Sequence, residues 1–221
     1  EREQSIERHG ATPVAFLDSL GVLSERTLMV HCVWVDQQDL AIMRDRGVKV
    51  VHNPSANAFL GDGIAPVRQM LELSIPVCLG TDGGCTNCRQ SIFEEMRMAA
   101  LMAKASAGDA SVLGTEETLL MGTARGGDAL GLPIGRIAAD HAADLVVVDL
   151  RALSLQPVNT ASKQVVYAMQ PDAITRVIVD GETIVEDGRL TRVDQREIVA
   201  KVRGVTAGWE PASRDAFARR P

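Results

Sequence analysis

Three polar side chains that could carry out hydrolytic chemistry stand at the ends of apolar segments. They are His31 after "TLMV", His52 after "VKVV" and Asp82 after "IPVCLGT". Imidazole and carboxylate groups are the usual ligands and proton carriers around a divalent ion that activates water. A single histidine next to a strand is more often structural, but three such residues in consecutive units are hard to explain that way. The pattern favours a metal-assisted hydrolytic site.

The segment "CLGTDGGCTNC" also allows a different interpretation. Cys85 and Cys88 have the spacing of a zinc-binding or redox-active pair, whereas a structural zinc site needs four ligands and the sequence has no second pair. Cys32 and Cys78 fall inside predicted strands, where they act as small core residues. The aspartate before the two glycines also suits a turn or a helix cap. We favour Asp82 as a metal ligand and keep the cysteine pair and the turn as alternatives.

The elements around these residues predict a parallel α/β sheet. Nearly continuous apolar runs, typical of strands covered on both faces, alternate with amphipathic helical segments. The predicted strands cover 27–33, 48–54 and 75–82, and the predicted helices 36–47, 65–74 and 90–106. Functional sites of such sheets lie at the carboxyl ends of the strands. We therefore expect His31, His52 and Asp82 to lie at one edge.

The C-terminal third has a different pattern. After a further helical stretch at 115–131, two apolar segments at 143–150 and 174–193 contain the hairpin signals Asp180-Gly181 and Asp187-Gly188. Helical character returns from Asp194 to about Gly204, and we expect the last residues to be poorly ordered. The predicted units are an α/β part at 1–131, a β layer at 132–193, and a helix with a tail at 194–221.

The composition indicates a globular chain with a small ligand. Its 221 residues are 46% hydrophobic and 24% charged, which is enough for a sizeable core. The net charge of −6, without long runs of Lys or Arg, does not suit a nucleic-acid binder. No apolar stretch approaches the roughly 20 residues of a membrane span, and the first residues do not resemble a signal peptide. We expect a cytoplasmic protein with reduced cysteines that binds neither nucleic acid nor membranes.

The motifs in this order resemble the amidohydrolase superfamily. The resemblance rests on "LMVHCVWVDQQDLAIMRDRGVKVVHNPSANAFLGDGIAPVRQMLELSIPVCLGTDG", on "FEEMRMAALM" and on "GRIAADHAADLVVVDL". More narrowly, the chain is similar to the branch of methylthioadenosine/S-adenosylhomocysteine deaminases, guanine deaminases and triazine chlorohydrolases. This implies the C-terminal part of a (β/α)8 TIM-type barrel, followed by strands of a small composite β-sandwich.

The resemblance also implies roles for individual residues. Asp82 matches the family's metal-binding aspartate, which also moves protons, and His31 matches the histidine that holds the attacking water or the developing charge. His52, Asn53 and Asn57 match residues near the substrate. The implied cofactor is one divalent metal, with Zn²⁺ favoured and Fe²⁺ as the alternative.

The expected activity is hydrolytic deamination of a purine-like or other N-heterocyclic small molecule. The alternatives are a dechlorinating or other hydrolase of the same family, and a non-catalytic fragment. The fragment is considered because the family's remaining metal ligands are expected upstream of Glu1. The sequence departs from the family's usual pattern after His52-Asn53-Pro54 and in the segment from Gly83 to Cys88, where the substrate pocket is shaped. A homo-oligomer is a family-level expectation.

Overall fold

Two separate β-sheets and a set of helices make up the computed structural model, which describes residues 1–209. The strands are β1 Leu28–Val30, β2 Lys49–His52, β3 Val77–Leu79, β4 Leu145–Val148, β5 Ile174–Val179, β6 Glu182–Glu186 and β7 Arg189–Leu190. The helices are α1 Arg2–His9, α2 Pro13–Ser19, α3 Gln37–Asp45, α4 Pro54–Leu60, α5 Val67–Glu72, α6 Gly84–Asn87, α7 Ile92–Ala107, α8 Thr115–Met121, α9 Ala124–Leu130, α10 Ala161–Tyr167 and α11 Gln195–Thr206. None of the described helices is both long and apolar enough to span a bilayer.

The first sheet is parallel, with the order β1-β2-β3, as the sequence predicts. Val50 in β2 and Val77 in β3 are fully buried. Each strand is shorter than its apolar run because the backbone leaves the extended conformation early. After β1, His31 and Cys32 take left-handed conformations with φ of 68° and 49°, which end the strand.

The helices that follow the strands begin at clear signals. In α3 the N-cap is Asp36, whose side chain accepts bonds from Gln38 and Asp39, and the Asp39 carboxylate accepts the Asp36 N–H in return. The sequence did not predict α4, because Asn53-Pro54 also suits a turn; here Pro54 stands in the first turn, where its missing N–H costs nothing.

The helical stretch predicted at 115–131 is two helices, α8 and α9, with a break at Gly122 and Thr123. Gly122 lies directly against Met96, so a Cβ there would come within 2.7 Å of the sulfur. This close approach allows the segment to pack on α7.

The second sheet is antiparallel, with the order β4-β5-β6-β7, and it confirms the predicted β layer. Asp180 and Gly181 both have positive φ, 49° and 79°, as expected of a tight hairpin turn between β5 and β6. Asp187 and Gly188 form a second such turn between β6 and β7, with φ of 47° and 74°. The pairing of this layer in a composite sandwich, and the domain limits at 131 and 193, stay predictions.

The first and last described elements are the helices α1 and α11, and α11 confirms the helical character predicted from Asp194. The C-cap of α1 is Gly10, which has a left-handed backbone, and the N-cap of α11 is Asp194, whose side chain accepts the N–H of Arg196. The predicted disorder concerns residues of the tail, of which 210–221 lie outside the described residues.

Candidate active site

The structure brings the predicted residues to one edge of the parallel sheet. His31 directly follows β1, His52 is the last residue of β2, and Asp82 stands three residues after the end of β3. All three therefore stand at the carboxyl ends of neighbouring parallel strands, where an α/β site is expected. A positive charge on the His31 ring would lower the pKa of both His52 and Asp82, so the three groups are electrostatically coupled.

His31 is oriented by a side chain from the next unit. Its Nδ1 lies 2.8 Å from Oδ1 of Asn57 in α4. With this oxygen as the acceptor, Nδ1 donates the hydrogen bond, and in the neutral tautomer of the ring Nε2 is then left as an acceptor. The backbone N–H of His31 donates to the carbonyl of Val51 at 3.0 Å, which fixes the turn after β1. His31 can therefore accept a hydrogen bond from a water molecule through Nε2.

His52 is buried and uncharged at neutral pH. Burial lowers its pKa from 6.5 to about 4, and the nearby positive charge of His31 adds to the shift. Its Nδ1 finds no hydrogen-bond partner within residues 1–209. A buried ring nitrogen without a protein partner can bond to a water molecule or a ligand.

Asp82 is half-buried and ionised. Its backbone is left-handed, with φ of 58°, and Oδ1 accepts the N–H of Gly83 at 2.7 Å. This bond holds the pKa of the Asp82 carboxyl below its usual value, with smaller contributions from the Thr86 hydroxyl and the His31 charge. Asp82 therefore stays a carboxylate at neutral pH, as a metal ligand or base must.

The side chain of Gln90 also fixes the backbone around Asp82, in the segment 81–87 after β3. The Thr81 hydroxyl donates to Oε1 of Gln90 at 2.8 Å, and Nε2 of Gln90 donates to the Asp82 carbonyl at 3.2 Å. The left-handed residue between these contacts is therefore fixed on both sides. Backbone strain of this kind is common at functional sites.

Asn53 and Asn57, the predicted substrate-binding amides, are both buried. Asn57 contacts His31, while its Nδ2 has no partner among the described residues. The Asn53 side chain lies against its own strand: turned so that its nitrogen faces these oxygens, it donates to the carbonyls of Val51 and His52 at 3.2 and 3.3 Å. Substrate contact by His52, Asn53 and Asn57 stays a prediction.

Gly80 is required where β3 passes behind Asn53. A Cβ at this position would lie 2.7 Å from Cγ1 of Val51 and 3.2 Å from the Asn53 amide.

Gly80→Ala is therefore expected to lower the free energy of unfolding by about 1–3 kcal/mol, the usual cost of overpacking, measured by urea denaturation. Gly84→Ala is the matched control, since a Cβ there meets no atom within 4 Å. Equal stability of both variants would contradict this role of Gly80.

Glu95, a fully buried acidic side chain in α7, was not predicted as a site residue from the sequence. Its oxygens accept bonds from the Ser55 N–H at 3.1 Å and from Nδ2 of Asn87 at 2.7 Å. A signal was present: Glu95 lies on the buried face of α7 with Met96 and Ala99, where a charged residue is unusual.

The cysteines do not form a metal cluster with other side chains. Cys85 and Cys88 are exposed and unpaired, and burial raises the pKa of the Cys32 thiol to about 12, with the charge of Asp39 adding to the shift. Within residues 1–209, no three His, Cys, Asp or Glu side chains are grouped closely enough to hold a metal ion. This argues against a zinc knuckle formed by the described residues.

The described residues supply only part of the ligand set of the candidate metal site at Asp82. An ionised carboxylate beside an imidazole is a suitable partial donor set for zinc, which takes N, O and S ligands. Zinc commonly has four ligands, so Asp82 can supply one, and the others must come from outside the described residues. The donor set fits a divalent metal in chemistry and is incomplete in number.

Comparison with known proteins identifies the family. The model of the amidohydrolase family matches residues 1–184, which is most of the chain. The chain belongs to the amidohydrolase family. This family assignment agrees with the resemblance inferred from the motifs around His31, His52 and Asp82.

Curated amidohydrolase relatives are named as deaminases. The chain is 38% identical over 213 residues to the 5-methylthioadenosine/S-adenosylhomocysteine deaminase of Syntrophobacter fumaroxidans, covering 96% of this chain and 49% of the relative. It is 38% identical over 193 residues to the 5'-deoxyadenosine deaminase of Methanopyrus kandleri, covering 87% of this chain and 45% of the relative. This amidohydrolase chain thus spans about half the length of the curated relatives it matches.

Solved structures share the fold. An adenosine deaminase from Xanthomonas campestris with bound zinc matches with a TM-score of 0.89 and 35% identity, covering 92% of this chain and 47% of that structure. The atrazine chlorohydrolase of Arthrobacter aurescens, complexed with zinc, matches with a TM-score of 0.87 and 27% identity, covering 92% and 46%. The α/β fold is therefore similar to that of these amidohydrolases.

Proposed function

We propose that the complete protein is a metal-dependent deaminase that removes an amino group from a purine-like nucleoside. The observation that carries this proposal is the placement of His31, His52 and Asp82 at one edge of the parallel sheet. The names of the relatives, which include deaminases of methylthioadenosine, 5'-deoxyadenosine and adenosine, support the substrate class. The reaction replaces the ring C–NH₂ bond with C=O, consumes one water and releases ammonia.

Asp82 would hold the metal together with ligands from outside the described residues. When bound, a divalent ion such as Zn²⁺ lowers the pKa of water towards about 7 and so supplies a nucleophile at neutral pH. Asp82 is ready for this role because its pKa is held low by the Gly83 N–H. Zn²⁺ is favoured over Fe²⁺ because both structural neighbours described above contain zinc.

Proton movement is assigned to Asp82 and His31. Asp82 accepts a proton from the attacking water and returns it to the departing ammonia, as a general base and then a general acid. His31 accepts a hydrogen bond from the same water through Nε2, because Nδ1 is occupied by Asn57. The bond to Asn57 fixes the ring, which lowers the entropic cost of orienting it for this contact.

The predicted substrate residues suit an uncharged heterocycle. His52 is neutral at pH 7 because its pKa is about 4, so its ring can exchange hydrogen bonds without attracting an anion. Unpaired buried atoms at His52 Nδ1 and Asn57 Nδ2 provide polar positions for the ring nitrogens of a substrate.

The same proposal extends to the architecture. We place the parallel sheet in the C-terminal part of a (β/α)8 barrel and the antiparallel sheet in a composite β-sandwich, with domain limits at 1–131, 132–193 and 194–221. Barrel catalysis at the carboxyl ends of strands agrees with the position of the candidate site. The cytoplasmic location and the homo-oligomeric assembly stay predictions.

Ammonia release by the complete purified protein tests the function. With one zinc ion per chain, we expect ammonia from 5'-methylthioadenosine or 5'-deoxyadenosine, loss of release after chelation, and recovery with Zn²⁺. Replacing both exposed cysteines, Cys85→Ser with Cys88→Ser, should leave the zinc content unchanged. An inactive zinc-loaded protein would contradict the deaminase, and loss of zinc from the cysteine variant would support the cysteine pair as ligands.

Dechlorination is the second candidate, because the chlorohydrolase matches with a TM-score of 0.87. It differs only in the leaving group at an electron-poor ring carbon. Chloride release from atrazine without ammonia release from the nucleosides would favour it.

A further inference from the structure

Glu95 has no part in the proton transfers above, yet it is a carboxylate with only 1% of its surface exposed. Burial of a charged side chain is costly unless hydrogen bonds compensate it. The two hydrogen bonds that compensate Glu95 both go to segments of the candidate site. These two hydrogen bonds account for an acidic side chain at this buried position of α7.

The first bond reaches the segment after β2. Oε2 accepts the N–H of Ser55, in the first turn of α4, at 3.1 Å. This turn directly follows His52 and Asn53, and the same helix carries Asn57, which orients His31. The position of Ser55 therefore determines how the candidate substrate residues enter the site.

The second bond reaches the segment after β3. Oε1 accepts from Nδ2 of Asn87 at 2.7 Å, and the same nitrogen donates to the carbonyl of Thr81 at 2.7 Å. Thr81 precedes Asp82, so the bonds form a continuous chain from Glu95 to the residue next to the candidate metal ligand.

We propose that Glu95 is a positioning residue that sets the distance between the Asp82 segment and the segment carrying His52, Asn53 and Asn57. The inference rests on the proposed deaminase function and assigns to it a residue that touches neither metal nor substrate. The hydrogen bonds between β2 and β3 end at Gly80, whose N–H donates to the His52 carbonyl. After that point the Glu95 carboxylate links the two segments. Errors of about 1 Å between reacting groups can lower a rate by about 100-fold.

Glu95→Gln is the decisive variant because it keeps the shape of the side chain and removes one of its two hydrogen bonds. An amide offers one acceptor oxygen, so its NH₂ must face either the Ser55 N–H or the Asn87 NH₂, donor against donor. In the complete zinc-loaded enzyme we expect kcat to fall about 10- to 100-fold, with KM within about threefold and zinc content unchanged. Unchanged kcat would overturn the proposal.

Glu94→Gln is the matched control. It makes the same change in the same helical turn, but the Glu94 carboxylate pairs with the Arg89 side chain and bonds to neither Ser55 nor Asn87. We expect wild-type kcat and KM. An equal fall in both variants would assign the effect to α7 as a whole and overturn the specific role of Glu95.

Hydrogen exchange separates this inference from the deaminase proposal. Glu95→Gln, and not Glu94→Gln, is expected to raise amide exchange in residues 53–57 or 81–87, depending on which of the two hydrogen bonds is lost. If the wild type releases no ammonia but exchange rises as expected, the function is wrong and the linkage stands. If the wild type is active and exchange is unchanged, the linkage is wrong.

Asn87→Ala provides an independent test should Glu95→Gln fold poorly. It breaks only the link to the Asp82 segment and leaves the Ser55 bond intact. We expect kcat to fall by a factor of the same order as in Glu95→Gln. The double variant should be no slower than the slower single variant, because both changes interrupt the same connection between the two segments. If the reduction in kcat of the double variant equals the product of the two single reductions, the proposal is overturned.

Discussion

Replacing Asp82 with asparagine in the complete enzyme is expected to lower kcat by about 100- to 10,000-fold, the usual contribution of a proton-transferring side chain. Asparagine keeps the size of aspartate and also tolerates the left-handed backbone at this position, where φ is 58°. It cannot accept a proton from water, and it is a weaker ligand for a divalent ion. Turnover measured at saturating Zn²⁺ separates the lost base from a lost metal.

Asp187→Asn is the control for this change. Asp187 also precedes a glycine and has a positive φ of 47°, but it lies in the exposed turn between β6 and β7. The same substitution in the same backbone geometry should leave turnover unaffected. Turnover of Asp82→Asn within about threefold of the wild type would remove Asp82 from the mechanism and return it to the role of a turn former.

Much of this site was accessible from the sequence because parallel strands produce a simple pattern. An apolar run that ends in a polar residue, repeated three times, places His31, His52 and Asp82 at one edge without knowledge of any contact. The turns after β5 and β6 were predictable for a similarly local reason, since Asp-Gly favours positive φ at both positions.

Contacts between distant residues could not be predicted in this way. The bond between His31 and Asn57 joins residues 26 positions apart, and α4 itself was missed because its first residues also suit a turn. Glu95 lies 40 positions from Ser55, and only the folded packing of α7 on α4 brings them together. Strand ends were overestimated because an apolar composition does not report where the backbone becomes left-handed.

Lowering the pH from 7 to 5 is expected to decrease the free energy of unfolding by about 2 kcal/mol through His52 alone. The folded pKa of His52 is about 4, below its ordinary value of 6.5, because burial and the His31 charge disfavour the imidazolium. Between these values the unfolded chain binds a proton that the folded chain does not. The contribution is therefore complete above pH 6.5 and is lost progressively as the pH falls towards 4.

Urea denaturation between pH 5 and 7 measures this effect, with two variants to isolate it. His52→Gln removes the titrating group and should flatten the pH dependence by most of the expected amount, whatever it does to stability at pH 7. His9→Gln removes an exposed histidine that stacks on Phe16 and should leave the dependence as in the wild type. If the wild type and His52→Gln lose stability in parallel, His52 is protonated in the folded protein at pH 5. The neutral ring assigned to substrate binding would then be wrong.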